Sequence, residues 1–379
     1  PLQKAGVSLD RRDSSILGGP LEPSVGETSG HLLTLDWQLL ENFELKSITS
    51  YRELEQGQFD QGLIDGISFF TTPNGPFGRY SLAQFDQHQF SQELQVLGST
   101  SEVQYVLGLF YYTESVSDNA QTPLMNLWNA DGTGYTLNPA TNPLNLGRVT
   151  VDRASRAWTD SLGVFGQATW TPSAMEKLHL TVGGRYTEDD KSGQLFTLNG
   201  ARSTLAFDAS WDRFDPMVNL SFDVSDDIMI YAKYARGNKS GGWNADFMTN
   251  GLEYFSYEPE SVDSYEAGIK STLMDDTLRL NATYYYSEYD DFQVFQQVFG
   301  TSGNPSNELT NAGSVTNQGV ELESTWIPMD RLQFTLNAAY LDTNYDKFLN
   351  QDGTDYGGNE LPFSPEWKVY VGTQYIQPV

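Results

Sequence analysis

Between Leu332 and Tyr340 the residues Leu332, Phe334, Leu336, Ala338 and Tyr340 alternate with Gln333, Thr335, Asn337 and Ala339. A period of two is the repeat of an extended chain, whose successive side chains point to opposite faces, so this segment is a strand with one apolar face. From Leu278 to Ser287 the set Leu278, Leu280, Ala282, Tyr284 and Tyr286 opposes Arg279, Asn281, Thr283, Tyr285 and Ser287; between Leu178 and Tyr186, Leu180 and Val182 oppose His179, Thr181 and Arg185. Thirteen such segments are expected, near 30–40, 43–56, 89–99, 102–115, 159–172, 177–190, 211–224, 227–238, 259–273, 277–290, 312–327, 331–345 and 364–377. Helical periodicity is absent, so the chain reads as all-β.

The connections separate one β architecture from another, because they alternate between short and long. Leu40-Glu41-Asn42, Ser99-Thr100-Ser101, 172–176, 224–226, 273–276 and Pro328-Met329-Asp330 are short, whereas 57–88, 116–158, 191–210, 239–258, 291–311 and 346–363 are long. A sandwich or propeller gives no reason for every second loop to be long. An outer-membrane barrel has short periplasmic turns and long extracellular loops. Several segments exceed the roughly 9 to 11 residues that cross a bilayer, as tall barrel walls require. Thirteen is odd, while single-chain bacterial barrels are even, so further strands are expected outside this stretch.

Composition agrees with that reading. No stretch approaches the roughly 18 apolar residues of a spanning helix, yet aromatics make up 13% of the chain, 21 of them tyrosine. The net charge of -28 opposes binding to nucleic acid or anionic headgroups, both of which demand a basic surface. No composition break or linker divides the 379 residues, and the start at Pro1 has no leader-like region. With no cysteine, thiolate metal sites and cysteine catalysis are excluded.

Chemistry-bearing motifs are sparse. There is no G-x-S-x-G, P-loop or G-x-G-x-x-G, so no catalytic residue and no cofactor is assigned. His31, His88 and His179 are too far apart in sequence to suggest a metal centre. The run from Asn350 to Asp355 has the oxygen donors of a calcium loop but lacks a closing Glu, so a turn is the simpler reading.

Particular runs then become recognisable. VFGQATWTPSAMEKLHLTVGGRYTEDD (Val164 to Asp190), YAKYARGNKSGGWN (Tyr231 to Asn244), the stretch from Tyr257 to Gln293, NAGSVTNQGVELESTW (Asn311 to Trp326) and SPEWKVYVGTQY (Ser364 to Tyr375) resemble barrel strands of TonB-dependent receptors, and FSQELQVLG (Phe90 to Gly98) fits the same family. The resemblance implies a transmembrane antiparallel barrel of about 22 strands, closed by an N-terminal plug that TonB engages from the periplasm. On that layout, 1–29 is loop or irregular, 30–379 is partial barrel, about four strands precede Pro1, about five follow Val379, and the plug lies outside this stretch. It further implies a Gram-negative outer membrane and import of a scarce nutrient, foremost a ferric siderophore, with vitamin B12, nickel complexes and glycans as alternatives. TonB, the plug, membrane lipid with lipopolysaccharide, and the ligand are the implied partners. A passive porin-like channel and a purely adhesive or structural barrel are the competing classes.

The same parity sorts the wall charges. If Tyr265, Ala267 and Ile269 face lipid, Glu266 and Lys270 face the lumen, as do Arg185, Lys233, Arg279, Glu321 and Glu323. Lys or Arg on the lipid face at mid-membrane costs about 2 to 4 kcal/mol, which forces the inward assignment. These charges suit a plug interface, the plainer reading, or a ligand path. Lys239 continues the inward row towards the extracellular mouth. Loop aromatics Phe69, Phe70, Trp128, Tyr135, Trp243 and Tyr254 suit ligand binding or loop packing, and Tyr186, Tyr231, Tyr284, Tyr286 and Trp326 suit the interfacial girdles.

Overall fold

The computed structural model describes residues 24–60, 71–72, 75–79, 81–121, 124–128, 135–137, 151–198, 201–244, 256–299, 305–311, 313–350 and 353–377. Among these no residue is helical. One antiparallel sheet contains β1 (Val25–Leu40), β2 (Phe43–Asp60), β3 (Ser81–Ser99), β4 (Val103–Gln121), β5 (Val151–Trp170), β6 (Leu178–Leu198), β7 (Ala206–Ser225), β8 (Ile228–Lys239), β9 (Glu260–Leu273), β10 (Leu278–Asp290), β11 (Ser314–Met329), β12 (Leu332–Lys347) and β13 (Trp367–Tyr375). Each strand pairs with the next in sequence, so the wall is a simple up-and-down meander whose outer strands are β1 and β13. The short strand Ala201–Arg202 adds a hairpin to the end of β6.

The strands outrun the apolar pattern at their loop ends. β3 begins at Ser81, not near residue 89, and β6 continues to Leu198, not to residue 190. Hydrophobic alternation reports only the height of the bilayer, whereas the backbone ladder needs no apolar side chain and continues into water.

Register assigns the two faces, since directly opposed residues in an antiparallel pair point the same way. One face carries Leu35, Leu45, Val96, Leu107 and Val164, then Val182, Val218, Ile230, Ile269, Leu280 and Leu336. Side chains of this set are open, Leu107 at 55% and Val164 at 50% exposure. Among the described residues very little apolar surface is buried: the one apolar cluster there, Val315, Tyr345 and Phe348, sits at the loop end of β11 and β12. A wall this apolar outside and this poor in core is solvated by lipid.

Aromatic rows bound the belt. Towards the long loops, the hydroxyls of Tyr111 and Tyr234 donate to Asp160 and Asp263 at 3.0 and 2.6 Å, ring in the belt and phenol turned to the polar side. Towards the short turns, Trp326 stacks on Phe334 with centroids 5.6 Å apart. Tyr186, Tyr284 and Tyr286 share the outward face. Tyr231 does not, which corrects its assignment to a girdle. It opposes Ser221 and Gly268 on the other face, where the missing side chain of Gly268 makes room for its ring and its hydroxyl donates to Glu266.

Candidate functional site

The inner face is polar, and the seven sorted wall charges lie on it. Lys233 opposes Glu266, Lys270 opposes Met229 and Asn281, Arg279 opposes Thr272 and Thr325, and Glu321 and Glu323 oppose Thr283 and Asn281. Arg185, opposite Phe165 and Asp215, belongs to the same face. Their surroundings differ. Arg185 is tied down: Nε donates to Thr187 Oγ1 at 2.9 Å, and its guanidinium lies 5.0 Å from the ring of Phe110 and 5.8 Å from that of Phe165. Gly163 lies beneath it, where a Cβ would meet the guanidinium. Lys270 sits 5.5 Å from the ring of Tyr231. At the turn end, Lys270 and Arg279 face Asp223, Asp226 and Asp227 across a cavity of about 360 Å³.

Towards the loop end a denser group forms, running from the level of the tyrosine row to beyond it. Lys239 opposes Glu260 at the tip of β8 and is exposed. The chain then turns inward, and Trp243 lies on Gly193 of β6, where any Cβ would fall inside the indole. Phe207 stands 5.2 Å from Trp243 and 6.1 Å from Trp211 between ring centroids. Lys191, half-buried beside them, donates to the Gly241 carbonyl at 2.8 Å. Asp189, 5% exposed, is held by Arg213 at 2.5 Å.

The electrostatics follow from burial. Desolvation holds the Lys191 ammonium below the ordinary lysine range, against the pull of Asp189 and Glu114 and with the push of Arg213 and Lys239. Burial works the other way on Asp189, but hydrogen bonds from Ser161 and Arg213 and the nearby positive charges outweigh it, leaving that carboxyl below its usual value.

The segment above this group is braced by the next loop. Gln293 donates to the carbonyls of Ser240 and Glu258 at 3.1 and 3.0 Å, and Asn244 exchanges two hydrogen bonds with the Leu309 backbone at 2.9 Å. Asn311 closes the brace by accepting from the Glu258 N–H at 2.7 Å.

Of the loop aromatics, Trp243 alone has a described side chain. Trp128 and Tyr135 pair in backbone register within a short ladder, while Tyr254, Phe69 and Phe70 lie outside the described residues. The reading of the residues missed Lys191, Asp189, Arg213, Phe207 and Trp211. Asp189, Trp211 and Arg213 lie inside segments already read as strands, where parity alone would have found them, whereas Lys191 and Phe207 required the inward rows to be carried past Asp190 and before Trp211. His31, His88 and His179 stay apart: His88 meets Glu53 at 3.5 Å, and His179 bridges Thr171 at 2.8 Å and Asp223 at 2.9 Å. No group of three metal-ligating side chains occurs among the described residues. In the loop near Asn350, residues 351–352 lie outside the described set, and the Asp355 carboxylate accepts from the Gly357 N–H at 2.8 Å.

Known proteins share this architecture. A family profile described as TonB dependent receptor-like, beta-barrel matches residues 5–379. The pesticin receptor of Yersinia enterocolitica is 24% identical over 286 residues, covering 74% of this chain and 37% of that protein. Among solved structures, the ferric yersiniabactin uptake receptor FyuA from Yersinia pestis aligns with a TM-score of 0.64 at 18% identity, over 91% of this chain and 46% of its own. The siderophore receptor PiuA from Acinetobacter baumannii aligns at 0.66 and 16% identity, over 93% and 52%. The chain thus spans about half or less of the length of these relatives.

Proposed function

Because the chain belongs to the TonB-dependent receptor family and forms part of its outer-membrane β-barrel, we propose that the whole protein is an active importer, not an enzyme, and that its cargo is a ferric siderophore complex. In this reading the long loops and the upper wall capture the complex. A plug inside the wall, driven by TonB from the periplasm, then admits it. The observation that carries the proposal is the family match along nearly the whole chain. The printed names of several relatives, a ferric yersiniabactin uptake receptor and a siderophore receptor among them, support the cargo class.

The wall suits such a role. Lys233, Glu321 and Glu323 present charge to the lumen within a mixed-charge surface that a polar plug can contact and leave without a permanent apolar seal. The test is uptake of radioactive iron as a panel of ferric siderophores, in host cells with and without the intact gene and with and without TonB. Loss of uptake on removing either one is expected. Uptake that persists without TonB would favour a passive channel, and import of cobalamin or a glycan with no ferric complex would replace the cargo.

A further inference from the structure

The loop-end group joins two chemistries that recognise an anionic aromatic ligand: the Lys191 ammonium, and the faces of Phe207 and Trp211. Both are engaged by one short segment of the chain. Gly241 offers its carbonyl to Lys191, and two residues later Trp243 lays its indole beside Phe207 and onto Gly193. We propose that the segment from Gly241 to Asn244 is a strap that holds the place of an anionic aromatic ligand, such as a catecholate or phenolate metal complex, and is displaced when that ligand binds.

Three observations carry this. The oxygen on Lys191 is a neutral carbonyl, and an anionic oxygen in its place makes a hydrogen bond roughly twice as strong. Asp189, which also pulls on the ammonium, is held by Arg213 at 2.5 Å, so the oxygen bonded to Lys191 is the strap's carbonyl and not this carboxylate. The strap's own ladder is the two-residue pairing of Gly242–Trp243 with Ser256–Tyr257, and its remaining hold is the exchange of Asn244 with Leu309 and the contacts at the site itself. Desolvation of Lys191, which holds its proton less tightly than usual, adds to the gain from an anionic partner. At the strap's far end Asn244 exchanges two hydrogen bonds with the Leu309 backbone, and just before the strap the Ser240 carbonyl accepts from Gln293, so displacement is also felt by the neighbouring loop.

The inference deepens the importer reading and rests on it for the cargo, but its test does not. The full-length receptor is labelled with fluorotryptophan, the Trp243 resonance is assigned by Trp243→Phe, and the gallium(III) complex of dihydroxybenzoate serves as a diamagnetic probe. At saturation the Trp243 resonance is expected to move to a solvent-exposed position. Trp243→Ala should tighten probe binding about threefold or more, because removing a competitor raises the binding-competent fraction. Lys191→Met should weaken it about tenfold, while heat-modifiable migration shows the barrel intact. A Trp243 resonance that stays put at saturation, weaker binding in Trp243→Ala, or no probe binding in either chain would overturn the strap. Cells that import no ferric complex while the probe still displaces Trp243 would defeat the importer reading and leave the strap standing.

Discussion

The Glu102 carboxylate accepts the backbone N–H of Ser173 at 2.9 Å, joining two turns 71 residues apart in sequence. It also takes the Ser173 hydroxyl and, at 3.4 Å, the indole N–H of Trp170, so the β3–β4 turn is stapled to the β5–β6 turn at the short-turn rim. The hydrogen bond from the Ser173 hydroxyl, then that from its backbone N–H, holds the Glu102 carboxyl below its ordinary value. A depressed carboxyl contributes stability above its unfolded pKa of about 4.3 and loses it as the pH falls through the folded value. Glu102→Gln should therefore lower the melting temperature at pH 7 but make little difference in acid below that range. An equal deficit at both pH values would show that Glu102 acts only through its neutral hydrogen bonds.

Adjacent residues on β7 test the register directly. Leu220 is outward and opposes Ala232, whereas Asn219 is inward and opposes Lys233. Leu220→Arg should destabilise the inserted barrel by about 2 to 4 kcal/mol, the cost of Arg on the lipid face near mid-membrane. Asn219→Arg should cost much less. Reversible unfolding in lipid vesicles measures both, and equal penalties would contradict the face assignment.

Topology is testable on a clean background, because the chain has no cysteine. Arg202 is exposed at the loop end of β6, and Asp226 is exposed in the short turn between β7 and β8. An impermeant thiol reagent should label Arg202→Cys in intact cells and Asp226→Cys only after the outer membrane is breached. The reverse pattern would invert the barrel.

Gly193 is a packing requirement, since its missing side chain is the seat of Trp243. Gly193→Val should unseat the indole at a local cost of about 1 to 3 kcal/mol, the usual range for overpacking. Limited proteolysis should then cut between residues 239 and 258 faster than in the parent, with heat-modifiable migration of the barrel unchanged. Unaltered proteolysis would mean that Trp243 is not held there.

The alternation from Leu332 to Tyr340, with its counterparts along the chain, and the pattern of short and long connections were enough to set the fold class, a strand count compatible with the observed sheet, and the placing of Lys233, Glu266 and Glu323 on the face opposite the apolar one. These properties depend on a period of two and on the cost of charge in lipid, both local to a strand. Strand ends above the bilayer were not legible, because β3 and β6 continue there on backbone hydrogen bonds with no apolar signature. Tyr231 was misplaced because residue type favoured a girdle while register against Gly268 decided the face. The group around Lys191 arises only in three dimensions. Gly193, Phe207, Trp211 and Gly241 come from two strands and a loop, and what joins them is the inward turn after Lys239, set by the absent side chain of Gly193 and the demand of a half-buried ammonium for an oxygen.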